Sequence, residues 1–270
     1  AGTFKPLPYR AFDGRDVADA MRLMQRSGHV GKIVVRPPDH AIEDRVVPAF
    51  RAKSGPFVVL GGTGGFGLET ALWLADHGAR PVIVASRRGQ VDAAAQERLA
   101  AYDGGIVAEQ ADATDPASVR ALLDRVRERH GPIAGVVHTA MVLEDGLLDG
   151  LDAETLAAVV LPKAVGVKEL DEATRNDPLQ CFVAYSSATT LIGNPGQGAY
   201  VLANAYLEGL MRKRRQAGLP ALAVGWGAIA DAGVIARDQK LGERLQRTTG
   251  VAGVPFRDAL AHLGRLRSEE

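Results

Sequence analysis

A short apolar run that ends in a cluster of glycines constrains this 270-residue chain more than any other feature. Residues 57–60 are β-branched and apolar, residues 61–67 are glycine-rich, and an amphipathic stretch starts at Leu68. This order predicts a strand, a tight turn and the start of a helix. Glycine lets a backbone approach a ligand closely, and the N–H groups at a helix N-terminus favour a pyrophosphate. The segment therefore predicts a dinucleotide site, with a simple turn as the alternative. The predicted cofactor-binding residues here are Gly61, Thr63, Gly64, Gly65, Phe66 and Gly67.

Composition excludes several other classes of protein. The chain is 46% hydrophobic and 5% aromatic, which is typical of an α/β core built from Ala, Val and Leu. Its 32 basic and 32 acidic residues balance, so neither nucleic acid nor an anionic membrane is the expected partner. The single cysteine, Cys181, lies in an apolar run and is predicted to be a small core side chain. With no signal peptide, no membrane-spanning stretch and no metal-ligand pattern, we expect a cytoplasmic protein without a metal.

From residue 56 onward, apolar runs alternate with amphipathic stretches. This alternation predicts an α/β fold, a doubly wound parallel sheet with helices on both faces. The expected strands are residues 57–60, 81–85, 105–109, 133–137 and 182–185. Asp115 is the predicted N-cap of the helix after the third strand, with Pro116 at its first position.

The residues after the second and third strands predict which dinucleotide binds. NAD sites place an acidic residue after the second strand, whereas this chain has Ser86 and Arg87. A hydroxyl and a guanidinium suit the 2′-phosphate of NADPH; the alternative is a solvated arginine. Asp112 and its neighbour Ala113 are assigned to the adenine end of the site, with a local turn role for Asp112 as the alternative.

A serine, a tyrosine and an asparagine follow the fifth strand at informative positions. Ser187 ends the strand, Tyr200 opens the next helix, and Asn204 lies one turn later on the same helix face. Open α/β sheets bind ligands outside the carboxyl ends of their strands, which is where a residue that ends a strand and one that opens the next helix are expected to lie. Ser186 is left out because adjacent strand residues face opposite ways, and His138 is interpreted as a packed strand-end residue.

These patterns together resemble a known family. Gly61-x-x-x-Gly65-x-Gly67 with Ser187 and Tyr200 resembles the short-chain dehydrogenase/reductases, which have a Rossmann-type fold. The finer pattern is similar to the ketoreductase domains of type I polyketide synthases, over about residues 55–265. The stretches that carry it are residues 136–146, 161–166, 186–207 and 225–227.

The resemblance implies a reaction and a role for each residue. Most short-chain reductases have Lys four residues after the Tyr, where this chain has Asn204; synthase ketoreductases exchange the two, and Lys163 matches the displaced lysine. The implied reaction is NADPH-dependent reduction of a 3-oxoacyl thioester carried on the phosphopantetheine of an acyl carrier protein. Tyr200 would donate the proton and Ser187 would hydrogen-bond the carbonyl oxygen. Lys163 would lower the pKa of Tyr200 and contact the nicotinamide ribose, and Asn204 would orient Lys163 or a water.

The resemblance also bears on stereochemistry. Leu143 and Asp145 lie in a Leu-Glu-Asp sequence close to the family's Leu-Asp-Asp pattern, and Ile192 stands where A-type domains have Trp. We therefore expect the B-type outcome, a D-configured 3-hydroxyl. Residues 228–250 are expected to form a mobile lid, with residues 241–245 helical.

The segment before the glycine turn has a different character. It predicts a helix over residues 17–24 and a strand over 31–35, then a proline-containing linker over 37–54. So short a segment cannot bury its own core. Residues 1–36 resemble the end of an enoyl reductase domain, which leaves residues 55–270 as the ketoreductase and implies an enoyl reductase and a structural half-domain as neighbours. Two alternatives stay open: a free-standing short-chain reductase or epimerase, and a non-catalytic ketoreductase-like structural module.

Overall fold

The computed structural model describes residues 8–36, 50–233, 236 and 252–268. The chain divides into two compact units, residues 1–47 and 48–270. In the first unit, strand β1 (Tyr9–Asp13) and helix α1 (Val17–Gln25) precede strand β2 (Lys32–Arg36), which pairs parallel with β1. The predicted helix and strand of this segment are confirmed. Its interpretation as the end of an enoyl reductase domain stays a prediction, and most of the predicted linker lies outside the described residues.

The second unit contains a six-stranded sheet in the order β5-β4-β3-β6-β7-β8, and every pair of neighbouring strands is parallel. The strands are β3 (Phe57–Leu60), β4 (Val82–Ser86), β5 (Ile106–Gln110), β6 (Gly135–His138), β7 (Cys181–Ser187) and β8 (Leu222–Trp226). The helices are α2 (Gly65–Asp76), α3 (Ala93–Ala100), α4 (Pro116–His130), α5 (Ala153–Ala173), α6 (Thr189–Ile192), α7 (Gly198–Gln216) and α8 (Phe256–Ser268). The predicted doubly wound sheet is confirmed.

Two apolar cores lie on opposite faces of this sheet, because successive side chains of a strand point to opposite sides. Val59 belongs to the core that also contains residues of α2, α3 and α8. Val58 and Leu60 belong to the core that contains residues of α4, α5 and α7. Cys181 is buried in the first core, as predicted. Within the described ranges, no helix is both long and apolar enough to cross a bilayer.

The order of the strands places a ligand crevice. Strand β3 pairs with β4 on one side and with β6 on the other, so the winding direction reverses between β3 and β6. Open α/β sheets bind ligands outside the carboxyl ends of the strands at such a reversal.

The predicted start of helix α4 is confirmed. Asp115 caps the helix by accepting a hydrogen bond from the Ala117 N–H at 2.9 Å, and Pro116 is the first residue of the helix.

A buried ion pair fixes the two long helices that border this crevice. The Arg214 guanidinium of α7 bonds the Asp171 carboxylate of α5, and both side chains are almost fully buried. Arg214 also donates to the Pro220 carbonyl at 2.8 Å and lies 4.4 Å from the centroid of the Phe182 ring in β7. Helices α5 and α7 are therefore held to each other and to the sheet.

Candidate active site

A cavity of about 750 Å³ opens at the carboxyl ends of the strands in the second unit. Its wall contains nearly all the residues that the sequence pattern assigned to cofactor, catalysis or stereocontrol. These are Gly61, Thr63, Gly64, Gly65, Phe66, Gly67, Ser86, Arg87, Asp112, Ala113, Leu143, Lys163, Ser187, Ile192 and Tyr200. Two assigned residues, Asn204 and Asp145, are not in the cavity wall.

The turn between β3 and α2 requires glycine for steric reasons. Gly61 has a φ of 92°, and a Cβ there would lie 2.4 Å from the Ala140 nitrogen. A Cβ on Gly67 would lie 2.4 Å from the Gly61 carbonyl oxygen. The backbone therefore passes close to the end of β6 and presents the first turn of α2 to the cavity. This cradle fits the diphosphate of a dinucleotide.

The residues beyond the turn also fit a dinucleotide. The Arg87 side chain is exposed at the end of β4, and no residue that the structure describes bonds its guanidinium. Asp112 accepts hydrogen bonds from the backbone and the hydroxyl of Thr114, both at 2.8 Å, so its local turn role is present. Asp112 still lines the cavity, so the turn role does not exclude an adenine contact.

Lys163 lies buried beneath the cavity, with 2% of its surface exposed. Its Nζ donates to the Tyr185 carbonyl oxygen at 2.6 Å and lies 5.7 Å from the centroid of the Tyr200 ring. Burial lowers the pKa of Lys163 to about 7. The preceding carbonyl, that of Pro162, is hydrogen-bonded by Nε2 of the fully buried His138 at 3.0 Å. Burial lowers the pKa of His138 to about 3, and its interpretation as a packed strand-end residue is confirmed.

Tyr200 and Asn204 lie on one face of α7, as the spacing predicted. The Asn204 Nδ2 donates to the Tyr200 carbonyl oxygen at 2.9 Å. The Asn204 Oδ1 is buried and has no hydrogen-bond partner among the described residues. The Asn204 side chain therefore bonds the first turn of α7 through its Nδ2, and its Oδ1 can still accept a hydrogen bond.

Burial sets the pKa of Tyr200 in this structure. It raises that pKa, and the nearby polar side chains of Asn204 and Ser187 only partly offset the effect. The Lys163 Nζ bonds the Tyr185 carbonyl oxygen rather than the phenol, and the lowering of the Tyr200 pKa by Lys163 stays a prediction. Tyr200 is therefore protonated at neutral pH, the form that a proton donor requires.

Neighbouring serines at the end of β7 have different partners. The Ser186 Oγ donates to the Glu208 carboxylate at 2.5 Å, which agrees with its omission from the predicted chemistry. The Ser187 Oγ instead accepts two hydrogen bonds from Thr189, one from the backbone N–H and one from the hydroxyl. The Ser187 side chain also lowers the pKa of Tyr200.

The residues assigned to stereocontrol divide into two kinds. Leu143 and Ile192 line the cavity, whereas the Asp145 carboxylate accepts from the Gln197 amide at 3.1 Å. Gln197 is 7% exposed and does line the cavity. Asp145 therefore holds the loop before α7 and does not touch the cavity itself.

Sequence reasoning missed several lining residues, namely Thr139, Ala140, Met141, Val142, Thr189, Gln197, Trp226, Ala228 and Ile229. Many of them directly follow a strand, and a position after the carboxyl end of a strand is the sequence signal that could have identified them. Trp226 packs edge-on against the rings of Phe66 and Tyr185, with centroids 5.2 and 5.3 Å away. Of the predicted lid, residues 228–233 and 236 are described, and Ala228 and Ala230 are tied to Val254 by backbone hydrogen bonds. The predicted helix at 241–245 lies outside the described residues.

The sequence of this chain is similar to parts of known polyketide synthases. Residues 55–231 match the KR domain family. A phenolphthiocerol/phthiocerol polyketide synthase protein of Mycobacterium tuberculosis is 38% identical over 86% of this chain, which spans 11% of that protein. Erythronolide synthase EryA2 of Saccharopolyspora erythraea is 38% identical over 97% of this chain, which spans 7% of it. The chain thus spans a small part of these curated relatives.

The fold of this chain is similar to those of solved ketoreductases from polyketide synthases. A structure described as A-type ketoreductases from a modular polyketide synthase has a TM-score of 0.75 and 33% identity, and the match covers 82% of this chain and 48% of that one. The first ketoreductase of the tylosin polyketide synthase has a TM-score of 0.72 and 31% identity, with coverages of 82% and 48%. A parallel sheet with a glycine turn and a Ser–Tyr–Lys cavity is the architecture of a short-chain dehydrogenase/reductase. Within that class, the chain belongs to the ketoreductase domain family of type I polyketide synthases.

Proposed function

We propose that this chain reduces a 3-oxoacyl thioester to the 3-hydroxyacyl thioester with NADPH, while an acyl carrier protein holds the substrate on its phosphopantetheine. One observation carries the proposal. Ser187, Tyr200 and Lys163 come from three separate elements and line one cavity with the glycine turn. Family membership supports the reaction class, and the chemistry of these side chains supports their roles.

Each residue has a defined task in this proposal. The nicotinamide cofactor would supply the hydride. Tyr200 is protonated at neutral pH, since the ordinary pKa of a phenol is about 10 and burial raises it further, and it donates a proton to the carbonyl oxygen. Ser187 donates a hydrogen bond to the same oxygen as negative charge develops there. Lys163 would hold the nicotinamide ribose, and the open Oδ1 of Asn204 is available to a water or to the Lys163 amine.

The activity is tested with an N-acetylcysteamine 3-oxoacyl thioester, by following NADPH oxidation and the 3-hydroxy product. A non-catalytic structural module oxidises no NADPH. A free-standing reductase or epimerase prefers a small ketone without the thioester. Thioester-dependent oxidation supports the proposal, and either other result contradicts it.

Arg87 is proposed to bind the 2′-phosphate of NADPH. Replacing it with alanine removes one charge-assisted hydrogen-bonding group, so the Kd for NADPH should rise about 10- to 100-fold. The Kd for NADH, which lacks the phosphate, should stay unchanged. Arg88→Ala is the control because Arg88 is exposed and does not line the cavity. Titration of cofactor fluorescence measures both constants, and an equal loss of both cofactors in Arg87→Ala would contradict the assignment.

We also propose the B-type outcome, from Leu143, Asp145 and Ile192. Chiral chromatography of the hydrolysed product should give the D-configured 3-hydroxy acid in large excess over its enantiomer. Two of the similar solved structures are described as A-type and A1-type ketoreductases, so the L-configured product is a real alternative. An L-configured product would overturn the B-type assignment and leave the reductase assignment intact.

Residues 1–36 are proposed to be the end of a preceding enoyl reductase domain, joined by a linker to a ketoreductase at 55–270. The resemblance of that segment supports the proposal, as does the large size of the relatives, which are multidomain synthases. Limited proteolysis of a longer synthase chain should cut within 37–54; cleavage confined to other segments would count against this boundary.

A further inference from the structure

The hydroxyl of Ser187 is held by a residue that the proposed reaction does not yet use. The Thr189 backbone N–H donates to the Ser187 Oγ at 3.2 Å, and the Thr189 hydroxyl donates to the same atom at 2.9 Å. A hydroxyl oxygen has two lone pairs and one proton. Both lone pairs of Ser187 are therefore occupied, and its proton must point elsewhere.

The position of Ser187 in the cavity indicates where this proton can go. Interaction with the Ser187 hydroxyl lowers the pKa of Tyr200, the sign expected when that hydroxyl donates toward the phenol oxygen. Both residues line the cavity in which the substrate carbonyl would bind. The adjacent hydroxyl, that of Thr190, bonds the Ser187 carbonyl oxygen and the Glu208 carboxylate, both at 2.9 Å. Thr190 therefore contacts the backbone of Ser187 and not its hydroxyl.

We propose that Thr189 is a positioning residue that fixes Ser187 as a hydrogen-bond donor into the cavity, to the Tyr200 phenol oxygen when no substrate is bound and to the substrate carbonyl oxygen when it is. This inference rests on the proposed reductase function. A Ser187 whose lone pairs were open would rotate and accept a hydrogen bond from Tyr200. It would then direct no proton at the oxygen where charge develops. Thr189 acts through Ser187, because it donates hydrogen bonds to both lone pairs of the Ser187 Oγ.

Isosteric substitution tests the proposal. Thr189→Val keeps the shape and the backbone bond but removes the hydroxyl, and kcat should fall about tenfold with KM unchanged. Thr189→Ser restores the hydroxyl and should keep kcat within about twofold of the wild type. Thr190→Val is the matched control: it removes the adjacent hydroxyl without touching the Ser187 Oγ, and kcat should stay near the wild-type value. Equal impairment of Thr189→Ser and Thr189→Val would overturn the proposal.

A titration separates positioning from a general structural effect. NMR of protein with ¹³C-labelled tyrosine and no added cofactor follows the Tyr200 phenol, whose resonance is identified by its loss in Tyr200→Phe. The pKa of Tyr200 should be higher in Thr189→Val than in the wild type and Thr189→Ser, because a donating Ser187 stabilises the phenolate. An unchanged Tyr200 pKa in Thr189→Val would overturn the inference. If the wild type fails to reduce the thioester, the proposed function fails, yet this titration still decides the role of Thr189.

Discussion

Replacing Tyr200 with phenylalanine is expected to lower kcat for thioester reduction by a factor between about 100 and 10,000, the usual contribution of a positioned proton donor. The substitution removes one oxygen and keeps the ring. The hydrogen bond from the Tyr200 hydroxyl to the Met141 sulfur is long at 3.9 Å, so its loss should not change the fold. Steady-state kinetics with the N-acetylcysteamine thioester measures the loss, and melting curves confirm that the variant is folded.

The control for this variant is Tyr206→Phe. Tyr206 lies on the same helix, is 42% exposed and does not line the cavity, so loss of its hydroxyl should leave kcat unchanged. The affinity of Tyr200→Phe for NADPH should remain close to that of the wild type. An undiminished kcat in Tyr200→Phe would refute the role of Tyr200 as proton donor.

Replacing Asp171 with alanine should produce a large loss of stability. The substitution leaves the Arg214 guanidinium, 1% exposed, without its buried carboxylate partner. Breaking one side of a buried pair typically lowers the free energy of unfolding by about 3–5 kcal/mol. Urea denaturation followed by circular dichroism measures this quantity. Since the pair joins the helices that carry Lys163 and Tyr200, activity should also be lost at a lower urea concentration.

Glu172→Ala is the matched control on the next residue of the same helix. Glu172 pairs with Lys168 on the helix surface, where both side chains are about half exposed and water screens their attraction. This variant should unfold at nearly the urea concentration of the wild type. Equal midpoints for Asp171→Ala and Glu172→Ala would show that the buried pair does not stabilise the fold.

The elements of this fold could be predicted because their signals are local. The run Phe57–Leu60 followed by glycines predicts a strand and a tight turn, and Asp115 with Pro116 marks a helix start. The spacing of Tyr200 and Asn204 likewise fixes their shared face within one helix. Such features depend on residues a few positions apart.

Features that depend on tertiary packing could not be predicted in the same way. Asp145 bonds Gln197, a residue 52 positions away, and no local pattern indicates that pair. The raised pKa of Tyr200 follows from its burial, which is a property of the assembled cavity. The bond from Lys163 to the Tyr185 carbonyl also depends on how α5 packs against the sheet. The sequence could place Lys163 at the site but could not show the direction of its amine.

The most direct test of the reductase assignment is a single turnover with NADPH that carries deuterium at both C4 positions of its nicotinamide ring. We predict a 3-hydroxyacyl product with one deuterium bound to C3, detected by mass spectrometry of the hydrolysed thioester, and formation of the same product at least about 100-fold more slowly by Tyr200→Phe. A folded wild-type protein that binds NADPH but returns the 3-oxoacyl thioester unreduced and without the label would contradict the assignment.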